Sequence, residues 1–171
     1  MIIRPAEERD IPAITAIYND IVANSTAVWT EKPDTESERL SWFKARRALG
    51  YPVLVADDHS TVLGYGTFGD FRAWPGYRYS VEHSIYVHAE QRRRGVGRIL
   101  IDELVRSAAA LGKHVLLAGV DASNQASLAL HARAGFAEVA RMPEVGRKFG
   151  RWLDLVFMQL VLDKPGAVRA D

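Results

Sequence analysis

The chain has 171 residues, 48% of them hydrophobic, which suits one folded unit with a substantial core. Its 22 basic and 21 acidic residues leave a net charge of +1, which excludes a global field that would favour nucleic acid or an anionic membrane, so any anion recognition must be local. There is no cysteine, which excludes disulfides, thiolate metal sites and a cysteine nucleophile.

The first residues, MIIRPAEERDIP, carry early charges and no apolar segment of signal-peptide length, and no run of eighteen apolar residues occurs. A soluble cytoplasmic protein with no membrane partner is expected. MIIRPA predicts a short strand, followed by an amphipathic helix with Ile11, Ile14, Ile17, Tyr18 and Ile21 at helical spacing. NSTAVWTEKPDT, with Trp29 and Pro33, reads as a loop, and TESERLSWFKARRALG as a second helix running from a hydroxyl cap to Gly50.

YPVLVAD and STVLGYGTFGDF predict a hairpin turned by DDHS, and YSVEHSIYVH a further strand after the polar, aromatic loop RAWPGYR. From Arg98 the period becomes 3.6, with Leu100, Ile101, Leu104, Val105, Ala108 and Leu111 on one stripe and Gly112 as the stop. HVLLAGV predicts a buried strand, SNQASLALHARAGF a capped helix ended by Gly135, and FAEVARM and WLDLVFMQLVL two closing strands. There is no internal repeat. The order of elements predicts an α+β or α/β fold, a single mixed sheet covered by helices, as one domain over residues 1–163 with a loose tail over 164–171.

One stretch stands out: HAEQRRRGVGR, residues 88–98, with four arginines around two glycines. A dinucleotide fingerprint would need a third glycine where Leu100 stands, and a nucleoside-triphosphate loop would need Gly-Lys-Ser/Thr, so neither fits. Arginine side chains suit nucleic-acid phosphate, but no basic stripe, recognition helix or base-stacking platform accompanies them, and no nucleic-acid partner is expected. A solvated, arginine-rich turn remains the bland alternative. The third possibility is an anion cradle: Arg92-x-x-Gly95-x-Gly97 between a strand and the start of a long helix, with glycines admitting a bulky anion to the first-turn amides. Such a cradle suits a pyrophosphate.

This motif, in this position, resembles the acyl-CoA motif of the GNAT superfamily of N-acetyltransferases, and the similarity spans roughly residues 2–162. AWPGYRYSVEHSIYVH, SLALHARAGF and KFGRWLDLVFMQ further resemble its phosphinothricin and methionine sulfoximine N-acetyltransferase branch. The resemblance implies a GNAT acyl-CoA N-acyltransferase fold, α+β and α/β sandwich-like, with a mixed, largely antiparallel sheet flanked by helices. It implies acetyl-CoA as co-substrate, a small amine acceptor, no metal and a homodimer. It also implies backbone contacts to the acetyl and pantetheine groups from Ile85, Tyr86 and Val87, and a pyrophosphate held by Arg92, Arg93, Arg94, Gly95, Val96, Gly97 and Arg98, with Asn124 and Ser127 on the cofactor side.

Acetylating an amine requires a neutral nucleophile, stabilisation of charge at the thioester carbonyl and a route for protons, and without cysteine the economical route is direct attack in a ternary complex. Glu82, a carboxylate in an apolar strand, is the candidate general base, acting directly or through a water. Alternation puts it on one side with Ser84 and Tyr86, unless a bulge intervenes. His131 lies two helical turns beyond Asn124 on a polar stripe, and its LHxxxGF context implies a catalytic histidine that relays a proton at the amine or the leaving thiolate. The remaining histidines, His83 among them, have neither this context nor zinc-ligand spacing. For the acceptor, Arg72 and Arg78 can hold a carboxylate, while Trp74, Pro75, Gly76, Tyr77 and Trp29 shape a wall. Alternative acceptors are a peptide N-terminus, a polyamine or an antibiotic amine, and the alternative to catalysis is an acyl-CoA or nucleic-acid binding module.

Overall fold

The computed structural model describes residues 1–162 and resolves the alternating and 3.6-residue patterns into seven strands and four helices. The tail expected at 164–171 lies outside the described residues. The strands are β1 (Ile2–Pro5), β2 (Val53–Asp58), β3 (Thr61–Asp70), β4 (Ser80–Val87), β5 (Val115–Asp121), β6 (Ala137–Lys148) and β7 (Arg151–Val161). The helices are α1 (Ile11–Asn24), α2 (Glu36–Ala48), α3 (Val96–Ala110) and α4 (Gln125–Arg133). Among the described residues no helix is long and apolar enough to cross a membrane.

Local chemistry sets the helix ends. Thr35 and Glu38 form a reciprocal capping box at the start of α2, with the Glu38 amide 3.2 Å from the Thr35 hydroxyl and the Thr35 amide 2.7 Å from the Glu38 carboxylate. Asn124 caps α4 by accepting from the Ser127 amide at 3.1 Å, and Gly135, at φ 94°, follows the last turn. In α3 the stripe of Leu100, Ile101, Leu104 and Ala108 is buried as its period predicts. Leu111 departs from that expectation: it lies one residue past the helix and is 50% exposed.

The sheet order is β1-β2-β3-β4-β5-β7-β6, and every neighbouring pair is antiparallel except β4 with β5. One face packs against α3 and α4 through Val81, Leu104, Leu116, Val156 and Phe136, and the other against α1 and α2 through Ile14, Phe43, Val55 and Tyr65. The last hairpin is longer than its sequence pattern suggests. The strand expected to end at Met142 continues to Lys148 through two breaks of register, because β6 is an edge strand and Pro143 there need not cost a ladder hydrogen bond.

Lys148, at the end of this strand, is 1% exposed, and its ammonium donates to the carbonyls of Val22, Ser25 and Val28, each at 2.7 Å. It thereby satisfies carbonyls at the C-terminal end of α1 and anchors the connection that follows. That connection is also held by Trp29, whose indole N–H donates to the Thr26 carbonyl at 2.9 Å and whose ring covers Gly146, and by a hydrogen bond from Thr26 to Asp121. Lys148→Met leaves one buried and two partly buried carbonyls without their donor and should cost about 3 kcal/mol in a denaturant titration. A loss below about 1 kcal/mol would show that the ammonium does not hold this connection.

Candidate active site

β4 and β5 pair over three residues only, Ser80, Val81 and Glu82 against Val115, Leu116 and Leu117, while β4 pairs with β3 along its length and β5 with β7 along its own. The two central strands therefore diverge beyond Glu82 and open a cleft through the sheet. The ladder to β3 is fixed by the Phe71 amide on the Ser80 carbonyl and the His88 amide on the Leu63 carbonyl, so by antiparallel alternation the even residues of β4 bond to β3. Ile85 and Val87 turn their amides and carbonyls to the open edge instead. Of the three backbone contributors expected from sequence, Tyr86 is thus the exception: its backbone faces β3, and its ring packs 5.1 Å from that of Tyr65.

The pairing of β3 with β4 runs without a register break, so Glu82, Ser84 and Tyr86 share the α1/α2 face, and Val81, His83, Ile85 and Val87 the α3/α4 face. A cavity of about 60 Å³ passes between the strands, lined from one face by Ala27, Ser84 and Tyr86 and from the other by His83, Ile85 and His131. Asn124 and Ser127 also line it.

Glu82 is half-buried, and that burial raises its carboxyl above the ordinary value, opposed by a hydrogen bond from the Gly119 amide and by the charge of Arg72. A Cβ on Gly119 would stand 2.9 Å from Glu82 Oε1, so the missing side chain is what lets the carboxylate lie against β5. On the same side, the Phe71 ring makes edge contacts with Tyr77 and Phe157, each with centroids at 5.8 Å, and the Arg72 guanidinium lies 5.0 Å from the Phe71 ring. Trp74, Pro75 and Gly76 sit on an exposed turn, with Trp74 73% exposed, and the structure does not bring Trp74 to this wall.

His131 is buried on the opposite face from Glu82, so the two catalytic candidates do not meet. Its Nδ1 lies 2.7 Å from the Ser127 carbonyl, which places the proton on Nδ1 and leaves Nε2 a bare acceptor. Burial pulls its pKa below the usual histidine value.

At the mouth of the cleft the chain turns from β4 into α3. Arg93 (φ 63°) and Gly95 (φ 82°) are both left-handed, a geometry that makes a concavity of backbone amides. The first intrahelical bond runs from the Ile99 amide to the Gly95 carbonyl, so the Val96, Gly97 and Arg98 amides have no acceptor within the helix. Gly97 packs closely on α4, since a Cβ there would stand 3.1 Å from the Leu130 side chain, which would have to shift. The arginines divide. Arg98 bonds Asp102 at 2.9 Å and the Arg133 carbonyl at 2.7 Å, which ties α3 to the end of α4, and Arg94 bonds Gln91, whereas Arg92 and Arg93 are exposed. The cradle is made by backbone amides. Among the described residues no group of three histidine, aspartate or glutamate side chains could hold a metal ion.

A family model described as the acetyltransferase (GNAT) family matches residues 14–136, from within α1 to the residue before β6. The chain belongs to the GNAT acetyltransferase family. It is 49% identical over 167 residues to an L-methionine sulfoximine/L-methionine sulfone acetyltransferase of Salmonella typhimurium, covering 98% of each chain. It is 38% identical over 160 residues to a phosphinothricin N-acetyltransferase of Streptomyces coelicolor, covering 92% of this chain and 94% of that one. Among solved structures, an acetyltransferase of S. typhimurium with its cofactor acetyl-CoA superimposes with a TM-score of 0.95 at 48% identity, covering 100% of this chain and 99% of that one. A phosphinothricin acetyltransferase of Sinorhizobium meliloti in complex with acetyl-CoA gives 0.94 at 37%, covering 99% and 92%. The mixed seven-stranded sheet with its four helices is the GNAT fold.

Within this GNAT site, sequence reasoning passed over Phe71 and Gly119, set His83 aside, and read Phe157 only as part of a long apolar terminal strand. Strand alternation held a signal for one of them, because it puts His83 on the apolar side with Val81 and Ile85. Gly119→Ala should push Glu82 off the Gly119 amide and so raise its carboxyl further, which NMR titration of the Glu82 carboxyl carbon would read as a shift to higher pH. An unchanged titration would show that the glycine does not position this carboxylate.

Proposed function

We propose that this chain transfers the acetyl group of acetyl-CoA to the amine of a small amino-acid-like acceptor, of the methionine sulfoximine or phosphinothricin type, by direct attack in a ternary complex. The observation that carries the reading is the cleft itself: an open edge of β4 leads from the amide cradle of α3 to Glu82, with Arg72 and an aromatic wall beyond. The names of the relatives support the acceptor class.

The residues fit acetyl-CoA. Amides of residues 93–98 suit its pyrophosphate, with the Arg92 and Arg93 side chains free to meet outer phosphates, and the outward backbone groups of Ile85 and Val87 suit an arm that carries amides. Asn124 and Ser127 line the same passage. Bound there, acetyl-CoA supplies an activated acyl group. Arg72 then pairs with the acceptor carboxylate, and Phe71, Tyr77 and Phe157 shield its side chain. Glu82, with its carboxyl raised by burial, takes a proton from the acceptor ammonium, directly or through a water, and releases it to solvent. As the new carbon–nitrogen bond forms and the carbon–sulfur bond breaks, the nitrogen sheds its second proton and the departing thiolate takes one up, exchanged through solvent on the side of the sheet where His131 lies.

The proposal includes a cytoplasmic location, where acetyl-CoA is at hand, and a homodimer. Trp74, Phe149 and Trp152 present apolar surface, at 73%, 47% and 61% exposure, that a second copy would cover. A monomeric mass by light scattering would contradict the dimer.

The enzymatic test is thiol release over an acceptor panel, together with Glu82→Gln. Methionine sulfoximine or phosphinothricin should be turned over in preference to peptides and polyamines, and the variant should lose roughly 10²- to 10⁴-fold in kcat while still binding acetyl-CoA. Since the folded state raises the Glu82 carboxyl, ionising it costs stability as the pH rises through that raised value. Glu82→Gln should therefore gain in Tm over the wild type on going from acid to neutral pH. Turnover of peptides but not amino-acid sulfoximines would overturn the acceptor assignment, and an unchanged kcat would overturn the role of Glu82.

A further inference from the structure

On the face of β4 away from Glu82, His83 is 4% exposed and, among the described residues, neither ring nitrogen has a hydrogen-bond partner. Its centroid lies 5.1 Å from that of His131 and 5.4 Å from that of Phe136. The surroundings are otherwise apolar, and they push His83 down to about 3, with the neighbouring His131 adding to the effect. At neutral pH both rings are uncharged, so His83 carries one N–H with no acceptor among the described residues. His131, its proton engaged by the Ser127 carbonyl, offers only the unpartnered lone pair of Nε2.

A buried unpaired donor destabilises a fold, and leucine would fill this volume without that cost. The polarity of the pair is therefore unexplained by packing. Both rings line the passage between β4 and β5, beside Ile85, Asn124 and Ser127. An N–H and a lone pair on adjacent rings together suit a single small group that both accepts and donates. A thiol is such a group, and a thioester sulfur, which has no hydrogen, is not.

We infer that His83 is a binding residue for the sulfur of coenzyme A, its ring N–H donating to the sulfur while His131 Nε2 accepts the S–H of the free thiol. The inference rests on the proposal that this cleft holds the acyl-CoA, and it adds that the cleft distinguishes free CoA from its acetyl thioester. No covalent step is involved: the pair contributes hydrogen bonds to the thiol once the carbon–sulfur bond has broken and the sulfur has gained its proton.

The test measures the unfolding midpoint without ligand, and the calorimetric affinities for CoA and acetyl-CoA, of the wild type, His83→Leu and His83→Gln. His83→Leu should raise the midpoint by about 2–4 °C through loss of the unpaired donor. It should weaken CoA binding roughly tenfold and acetyl-CoA binding by less. His83→Gln, which keeps an N–H donor, should recover most of the CoA affinity. If both variants bind CoA as the wild type does, the inference is overturned whatever their stability. If His83→Leu is less stable and binds weakly, recovery in His83→Gln supports the inference and its absence overturns it. A wild type that binds neither ligand would overturn the cleft reading, and this inference with it.

Discussion

Three residue pairs hold the two halves of this sheet together, Ser80 with Val115, Val81 with Leu116 and Glu82 with Leu117, and the rest of the site follows from where that pairing stops. β4 is committed to β3, and β5 to β7, each over its whole length, so twist accumulated on the two sides carries the strands apart beyond Glu82. The divergence leaves backbone groups of Ile85 and Val87 without a strand partner. It also puts Glu82 at the apex, half-buried against Gly119, where burial raises its carboxyl above the ordinary value, the direction that suits its proposed role as a base. An exposed edge in the middle of a sheet is costly unless something else pairs with it, and the amide-bearing arm of a CoA thioester is suited to do so.

The same divergence separates the chemistry into two faces. Glu82, Phe71 and Phe157 lie toward α1 and α2, while His83, His131 and Asn124 lie toward α3 and α4 and line the passage between the strands, which Ser84 and Tyr86 line from the Glu82 side. In the proposed reaction, amine deprotonation and thiol departure fall on different sides of one sheet. The arginine-rich turn matters less for its side chains than its composition suggests. Arg98 and Arg94 are occupied within the protein, and the features suited to an anion are the left-handed Gly95, the close packing of Gly97 on Leu130 and the free amides of the first turn of α3.

Much of this is legible in the sequence because its signals are local. The 3.6-residue stripe of α3, the Thr35 cap, the Asn124 cap and the glycine motif each declare themselves within a few residues. What is not legible depends on partners far along the chain. Nothing local in the sequence marks Lys148, yet it is buried against carbonyls more than a hundred residues away. The continuation of β6 past Pro143 depends on its being an edge strand, which only the topology decides. The separation of Glu82 from His131 needs the side of the sheet on which α4 packs, and Phe157 reaches Phe71 only because β7 inserts beside β5.

The central claim is that the open edge of β4 and the first turn of α3 together form one continuous row of amides that binds acyl-CoA. Residue-resolved amide hydrogen exchange, with and without acetyl-CoA, tests it most directly. The account predicts slowed exchange at Ile85 and Val87 and through residues 93–98, with little change at Tyr86, whose amide is already bonded to β3. Protection confined to the arginine-rich turn, or spread evenly over β4 with Tyr86 included, would contradict it.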